Sequence, residues 1–334
     1  MKKQMIAAAV AASVSAVAVA DISITGNANY EYFNTENTAG VTTHTTDTEI
    51  NLSFKGKSGD TSVVANLEID SHGNADTALD IEDTYMTTKI GDFNVKAGNF
   101  ASSTSALLGE IDAGGRSTSK VDISTTLGDI KVGYNQGSNT SDIVENSAST
   151  VYASIPVAGW TVQVKDQSDS YTGFGVAGSI GGVNVRAEQK NSDTANNNVL
   201  FYNLTTKVGD VTLGYAAIDA DASGLVGEED SSIFAREMAT GTGGTSNARS
   251  DVDGVWQLSA ATAVDGNNIT LKVGELRATT GNQDAGFSQV SASRKLASGT
   301  TLSVIYTDAE TESITTGSTM TDSQTLEVDL AVSF

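Results

Sequence analysis

Leu326-Glu327-Val328-Asp329-Leu330-Ala331-Val332-Ser333-Phe334 is the stretch from which the rest of the chain can be read. Successive side chains of a strand point to opposite faces. Leu326, Val328, Leu330, Val332 and Phe334 therefore line one face, while Glu327, Asp329 and Ser333 line the other. One face suits hydrocarbon and the other suits water. A soluble sandwich strand shows the same alternation but rarely runs out on an apolar face with no polar tail, so the expectation is a strand of a membrane barrel.

The interior repeats this pattern between short turns. Gly59-Asp60, Gly91-Asp92, Gly128-Asp129, Ala158-Gly159, Gly181-Gly182, Gly209-Asp210, Gly266-Asn267 and Ser298-Gly299 each separate alternating runs such as Ile130-Lys131-Val132-Gly133-Tyr134 and Val183-Asn184-Val185-Arg186-Ala187. Turn residues flanked by period-two runs are hairpin signals. Longer polar connections lie between the turns, at 34–46, 71–79, 101–119, 138–147, 168–171, 191–197, 220–251, 279–285 and 309–322. Short turns at one end and long loops at the other give an all-β, transmembrane, antiparallel up-and-down β-barrel of about 16 to 18 strands. The count depends on the shortest link, 168–171: about 18 strands if it is a hairpin, about 16 if it is not. A β-solenoid shares the composition, but its rungs repeat at a fixed short spacing, whereas these turns recur about every 30 residues with unequal loops on alternate sides.

Met1-Lys2-Lys3-Gln4-Met5 is a basic head, and residues 6–20 are Ala, Val, Ile and Ser, ending Ala18-Val19-Ala20. That layout is a secretory signal peptide cleaved after Ala20, leaving residues 21–334 as one barrel domain. No later run is long and apolar enough for a spanning helix, which leaves a closed barrel as the membrane-compatible option. Cysteine is absent, so no disulfide framework holds an exported chain of this size. Removing Lys2 and Lys3 leaves 17 basic and 41 acidic groups, a mature net charge of −24. Nucleic acid is a poor partner for such a chain.

From Asp21 to Phe334 the chain resembles the general diffusion porins of the Gram-negative outer membrane, in its signal peptide, its meander, its opening strand Asp21-Ile22-Ser23-Ile24-Thr25-Gly26 and its final Phe. The resemblance implies a homotrimer of water-filled channels for passive diffusion of ions and small hydrophilic solutes. It implies contact with outer-membrane lipid and lipopolysaccharide, with Phe334 as part of the signal read by the barrel-assembly machinery. It also implies that the connection after the fifth strand folds inward. Here that is 101–119, with Glu110, Asp112 and Arg116 at the constriction; the Pro-Glu-Phe-Gly-Gly form of enteric members is missing, and there is no arginine before Arg116.

Assigning each strand's apolar set to lipid places Lys96, Lys131, Lys165, Arg186 and Lys272 in the lumen, with Glu68, Asp70, Asp122 and Glu188. Charges belong there because a Lys or Arg on the lipid face at mid-bilayer costs about 2–4 kcal/mol. Such charges ordinarily solvate a wide channel. Facing Glu110 and Asp112, they set up a transverse field with a weak cation preference. Tyr and Phe are assigned mostly to the lipid set, which counts against the alternative of a substrate-specific channel. A further alternative is a structural or adhesive surface protein of the S-layer kind.

Catalysis has little to work with. His44 and His72 are assigned to outward loops with no partnered nucleophile, so the chain is not read as an enzyme. No cofactor is expected, save calcium at an outward loop. Asp219, Asp221 and Ser223 have the spacing that opens a calcium loop, with Asp230 at its twelfth place. A solvated acidic loop is the more ordinary reading of that run. Intact-mass and N-terminal measurement of protein purified from outer membranes is expected to give a chain starting at Asp21; a chain retaining residues 1–20 contradicts the signal-peptide reading.

Overall fold

The computed structural model describes residues 21–37, 40–72, 78–100, 117–138, 149–193, 198–221, 252–278, 285–311 and 321–334. The first strands are β1 (Asp21–Asn37), β2 (Thr42–Ser58), β3 (Thr61–His72), β4 (Ala78–Ile90), β5 (Phe93–Phe100) and β6 (Ser117–Leu127). Next come β7 (Ile130–Ser138), β8 (Ser149–Val157), β9 (Trp160–Gln167), β10 (Tyr171–Ile180), β11 (Val183–Ser192) and β12 (Val199–Val208). The last six are β13 (Val211–Ala220), β14 (Val252–Val264), β15 (Asn267–Ala278), β16 (Ala285–Lys295), β17 (Thr301–Thr311) and β18 (Thr321–Ser333). Each pairs antiparallel with its neighbours in sequence, and β18 pairs back onto β1, closing an 18-stranded barrel. The solenoid alternative therefore falls.

Several connections show why the hairpins form. Ala158-Gly159, Gly181-Gly182 and Asp265-Gly266 hold two successive positive φ angles, as a type I′ turn requires. The Gly-Asp turns place only the glycine there, with φ of 56° at Gly59 and 60° at Gly91, which is the type II′ arrangement. Both turn types match the right-handed twist of the strands they join. We call this end of the barrel the short-turn rim.

At the opposite, long-loop rim one alternative left by the sequence is decided and one connection differs from expectation. The 168–171 link is a true hairpin: Asp169 takes φ 55°, and the Ser170 N–H donates to the Gln167 carbonyl at 3.2 Å. This fixes the count at 18 rather than 16. The 34–46 connection shrinks, because β1 runs to Asn37 and β2 begins at Thr42. The Gly40 N–H donates to the Asn37 carbonyl (2.8 Å) and the Val41 N–H to Asn37 Oδ1 (3.0 Å). Threonine-rich flanks read as loop because of their polarity, yet Thr42, Thr43, Thr45 and Thr46 are β-branched and pair with β1. His44 consequently lies in β2 rather than a loop, stacked on Tyr32 at 6.0 Å, and His72 ends β3.

Burial is inverted relative to a water-soluble domain. Ile24, Val63, Phe93, Ile123, Val151, Leu271 and Leu330 are exposed on the outer face. Lys120, Lys165, Glu188, Gln257 and Glu327 are buried on the inner face. Period-two alternation in register across all strands produces this, since directly paired residues share a face.

The β18–β1 seam is closed at its short-turn end by Phe334. Its N–H donates to the Gly26 carbonyl at 2.9 Å, and the Gly26 N–H donates to the Phe334 carbonyl at 2.8 Å. The ring lies over Gly26, where a Cβ would stand 3.0 Å from the ring and 2.5 Å from the Asn51 carbonyl oxygen. Only glycine leaves that notch. Phe334→Asp and Gly26→Val are each expected to lower the fraction of heat-modifiable, folded barrel on gels of unheated outer-membrane samples; wild-type yields from both contradict the seam assignment.

Candidate functional site: the inner wall

The barrel's inner face divides into three sectors around its circumference. On β18 and β1 to β4 it is acidic. Glu31 stands opposite Asp329, Glu49 opposite Asp70, and Glu68 opposite Asp80. A bulge in β4 inserts Glu82, and Glu68 then has Glu82, Glu49 and Asp70 as charged neighbours. Amides hold parts of this wall: Asn29 Nδ2 donates to Glu31 (2.7 Å), Asn66 Nδ2 to Asp83 (2.9 Å), and Asn51 Nδ2 to Glu49. A cavity of about 820 Å³ opens against it, lined by Asn27, Glu49, Asn51, Asn66, Glu68 and Glu82 among others.

The second sector, β5 to β11, is basic and aromatic. Lys96 reaches across to lie 3.9 Å above the Tyr85 ring and 4.1 Å above the Phe100 ring, and those rings meet edge to face at 5.9 Å. Lys120 shares Phe100 at 5.7 Å, and Lys131 lies 5.8 Å from the Tyr152 ring. Lys165 and Lys190 both sit over Tyr171, and Arg186 over Phe201. Such pairs are each worth about 0.5–2 kcal/mol, rising as water is excluded. They hold long, flexible side chains in set positions. Two carboxylates interrupt the wall and both are engaged: Tyr152 O–H donates to Asp122 at 3.0 and 3.2 Å, and Glu188 is ion-paired with Arg186.

The third sector, β12 to β17, is apolar and amide-rich toward the long-loop rim. Phe201 and Ile218 on adjacent strands are buried there with Val255, Gln257, Phe287 and Thr307. Gln289 Nε2 donates to Thr307 Oγ1 at 3.1 Å. Lys272, opposite Ser259 and Gln289, is the cation that sequence placed in this arc.

Register places Lys96, Lys131, Lys165, Arg186, Lys272, Glu68 and Asp122 on the inner face. Glu110, Asp112 and Arg116 lie outside the described residues, as do Ser223, Asp230 and the leader 1–20; β6 already begins at Ser117. Asp219 ends on the outer face near the long-loop rim, paired across from Leu200, and Asp221 accepts from Asn198 Nδ2 at 2.7 Å. Glu31, Glu327 and Asp329 form the carboxylate trio whose ligand atoms lie within 4.8 Å of one another.

Among the described residues most Tyr and Phe do face outward, with Tyr30, Phe93, Tyr134, Phe174, Tyr306 and Phe334 exposed there, but a substantial minority turns to the lumen. Tyr85, Phe100, Tyr152, Tyr171, Phe201 and Phe287 face inward. Period-two counting from Lys96 reaches Phe100, and from Asp122 it reaches the missed Lys120. Tyr171 was hidden because it adjoins a link read as loop.

No protein-family model matches the chain, and no curated sequence relative does. Among solved structures it is similar to OccK2 (OpdF) of Pseudomonas aeruginosa in complex with glucuronate, with a TM-score of 0.62 at 12% identity over 94% of this chain and 98% of that one. It is also similar to OpdK of the same organism with vanillate (TM-score 0.58, 12% identity, 93% and 99%) and to OccK11 (OpdR) (0.60, 12%, 94% and 96%). The likeness is one of fold: a transmembrane β-barrel of the kind that the outer membrane protein OpdK adopts.

Tyr152→Phe removes the donor to a partly buried carboxylate and is expected to destabilise the barrel by about 1–3 kcal/mol. The urea midpoint of protein folded into lipid vesicles measures this; an unchanged midpoint contradicts a structural role for the Tyr152–Asp122 bond.

Proposed function

We propose that this chain is an outer-membrane porin of a Gram-negative bacterium, a water-filled channel through which ions and small hydrophilic solutes diffuse passively. The observation that carries this reading is the closed barrel whose charged and polar residues turn inward while its exposed apolar residues turn outward. Barrels of 16–18 strands are wide enough to leave an aqueous channel. The acidic β18–β4 wall and the basic β5–β11 wall occupy successive arcs of the barrel that meet at β4–β5, so the lumen carries a charge separation around its circumference. Charges about 10 Å apart in water interact by only about 0.4 kcal/mol. At physiological salt the screening length is about 8 Å, so an ion responds chiefly to the wall it passes. The excess of acidic groups supports a weak cation preference overall, with Glu110 and Asp112 of the 101–119 connection adding to it.

A substrate-selective channel is the second reading, and the cation–aromatic pairs of the basic wall favour it. Glucuronate and vanillate, named with two of the similar structures, are both carboxylates, which a wall of oriented ammonium groups suits. A homotrimer, contact with lipopolysaccharide, delivery by the barrel-assembly machinery through Phe334, and calcium at Asp219, Asp221, Ser223 and Asp230 complete the proposal. Chelation is expected to lower the melting temperature if that ion binds only the folded form.

Purified protein in a planar bilayer is expected to give stepwise conductance, with a zero-current potential under a KCl gradient that shows weak cation preference fading as salt rises. Lys96→Glu with Lys120→Glu is expected to strengthen that preference, and Glu68→Lys with Asp70→Lys to reverse it. Absence of conductance steps leaves the structural or adhesive reading standing. Potentials indifferent to both double variants contradict the wall assignment.

A further inference from the structure

Resting on the channel reading above, we infer that Lys165, Tyr171 and Lys190 form an anion subsite near the long-loop rim, which holds the oxyanion group of a passing solute. Gly173 on β10 stands directly between Lys165 on β9 and Lys190 on β11. The middle strand has no side chain at that point, and Gly175 continues the gap. Both ammonium groups swing over the neighbouring Tyr171 ring, Lys165 at 5.2 Å and Lys190 at 4.6 Å. Two like charges thus converge on one ring.

The hydroxyl of Tyr171 supplies an independent indication. The residue is 3% exposed, and its oxygen is buried without a hydrogen-bond partner. Buried hydroxyls are nearly always bonded, so one left over on a ring that two ammonium groups cover points to a ligand that accepts from it. Lys190 likewise has its aromatic contact and no ion pair or hydrogen bond among the described residues. Of the carboxylates on this wall, Glu188 is ion-paired with Arg186 and Asp122 accepts from Tyr152. Asp166 is on the opposite, outer face, where Thr172 donates to it.

The donor set determines the class of ligand. Two ammonium point charges and one phenolic O–H, with no guanidinium fork free beside them, suit a compact oxyanion. A phosphate group and a carboxylate both qualify. The site lies just below the β9–β10 hairpin, whose turn is only Ser168 to Ser170, so solute entering over this low part of the rim meets these donors early.

The test uses the purified mature protein in a planar bilayer, with sodium phosphate or sodium benzoate added to one side in KCl. Wild type is expected to show saturable reduction of channel current by at least one anion. Tyr171→Phe keeps the ring under both lysines and removes only the donor; it is expected to raise the half-blocking concentration about tenfold. Lys190→Gln is expected to abolish saturation, and Lys207→Gln, near the short-turn rim, to leave it unchanged. Stronger block by phosphate identifies a tetrahedral ligand, and stronger block by benzoate a carboxylate. Channels that conduct but show no saturable block, or block that survives both Tyr171→Phe and Lys190→Gln in heat-modifiable protein, overturn the subsite alone. Absence of any channel overturns the subsite together with the reading it rests on.

Discussion

Every peptide group that enters hydrocarbon must bring its hydrogen-bond partner with it, because lipid offers none. A sheet meets this demand only when its two edges find each other. Here they do so along β1 and β18, in a ladder that runs from Asn27 opposite Ser333 to Asn37 opposite Ser323. Phe334 extends that pairing to Gly26 at the short-turn rim. The strand count, the type I′ and II′ turns and the strict alternation of side chains all serve this closure. A one-residue slip anywhere would turn an entire strand's charges to lipid.

Closure also creates the inner wall, and the wall's composition is more ordered than that of a featureless water pipe. Acids gather on β18 to β4, lysines on β5 to β11, and apolar and amide side chains on β12 to β17. Lysine has a flexible stem, and in open water its charge would sample a wide volume. Laying each ammonium over an aromatic face restricts that freedom, as at Lys96 between Tyr85 and Phe100. Positioned charge is what converts net charge, which influences distant ions weakly, into a local track along one side of the lumen.

Much of this was legible in the chain itself. Leu326 to Phe334 gave the period, the Gly-Asp and Gly-Gly turns gave the hairpins, and period-two counting gave the face of Lys96, Asp122, Lys165 and Arg186. What escaped has specific causes. Thr42, Thr43, Thr45 and Thr46 were read by their polarity instead of their β-branching, so His44 was set in a loop. Tyr171 adjoins a turn of three residues and was absorbed into it. Phe100, Tyr152 and Phe201 escape a sequence reading because aromatic side chains suit either solvent, and only register, as of Tyr152 with Lys165 and of Phe201 with Glu188, decides between the faces. Bulges at Glu82 in β4 and between Ser117 and Lys120 in β6 interrupt the count and are invisible to a period-two reading.

The central claim is that alternate residues of each strand face water and lipid around a closed barrel. The chain contains no cysteine, so single cysteines can be read against a silent background. Replacing Val121, Asp122, Ile123 and Ser124 in turn, and treating the folded protein in lipid vesicles with a charged thiol reagent, tests the claim on β6. The account predicts reaction at 122 and 124 and protection at 121 and 123. Uniform reactivity, or the opposite alternation, would contradict it.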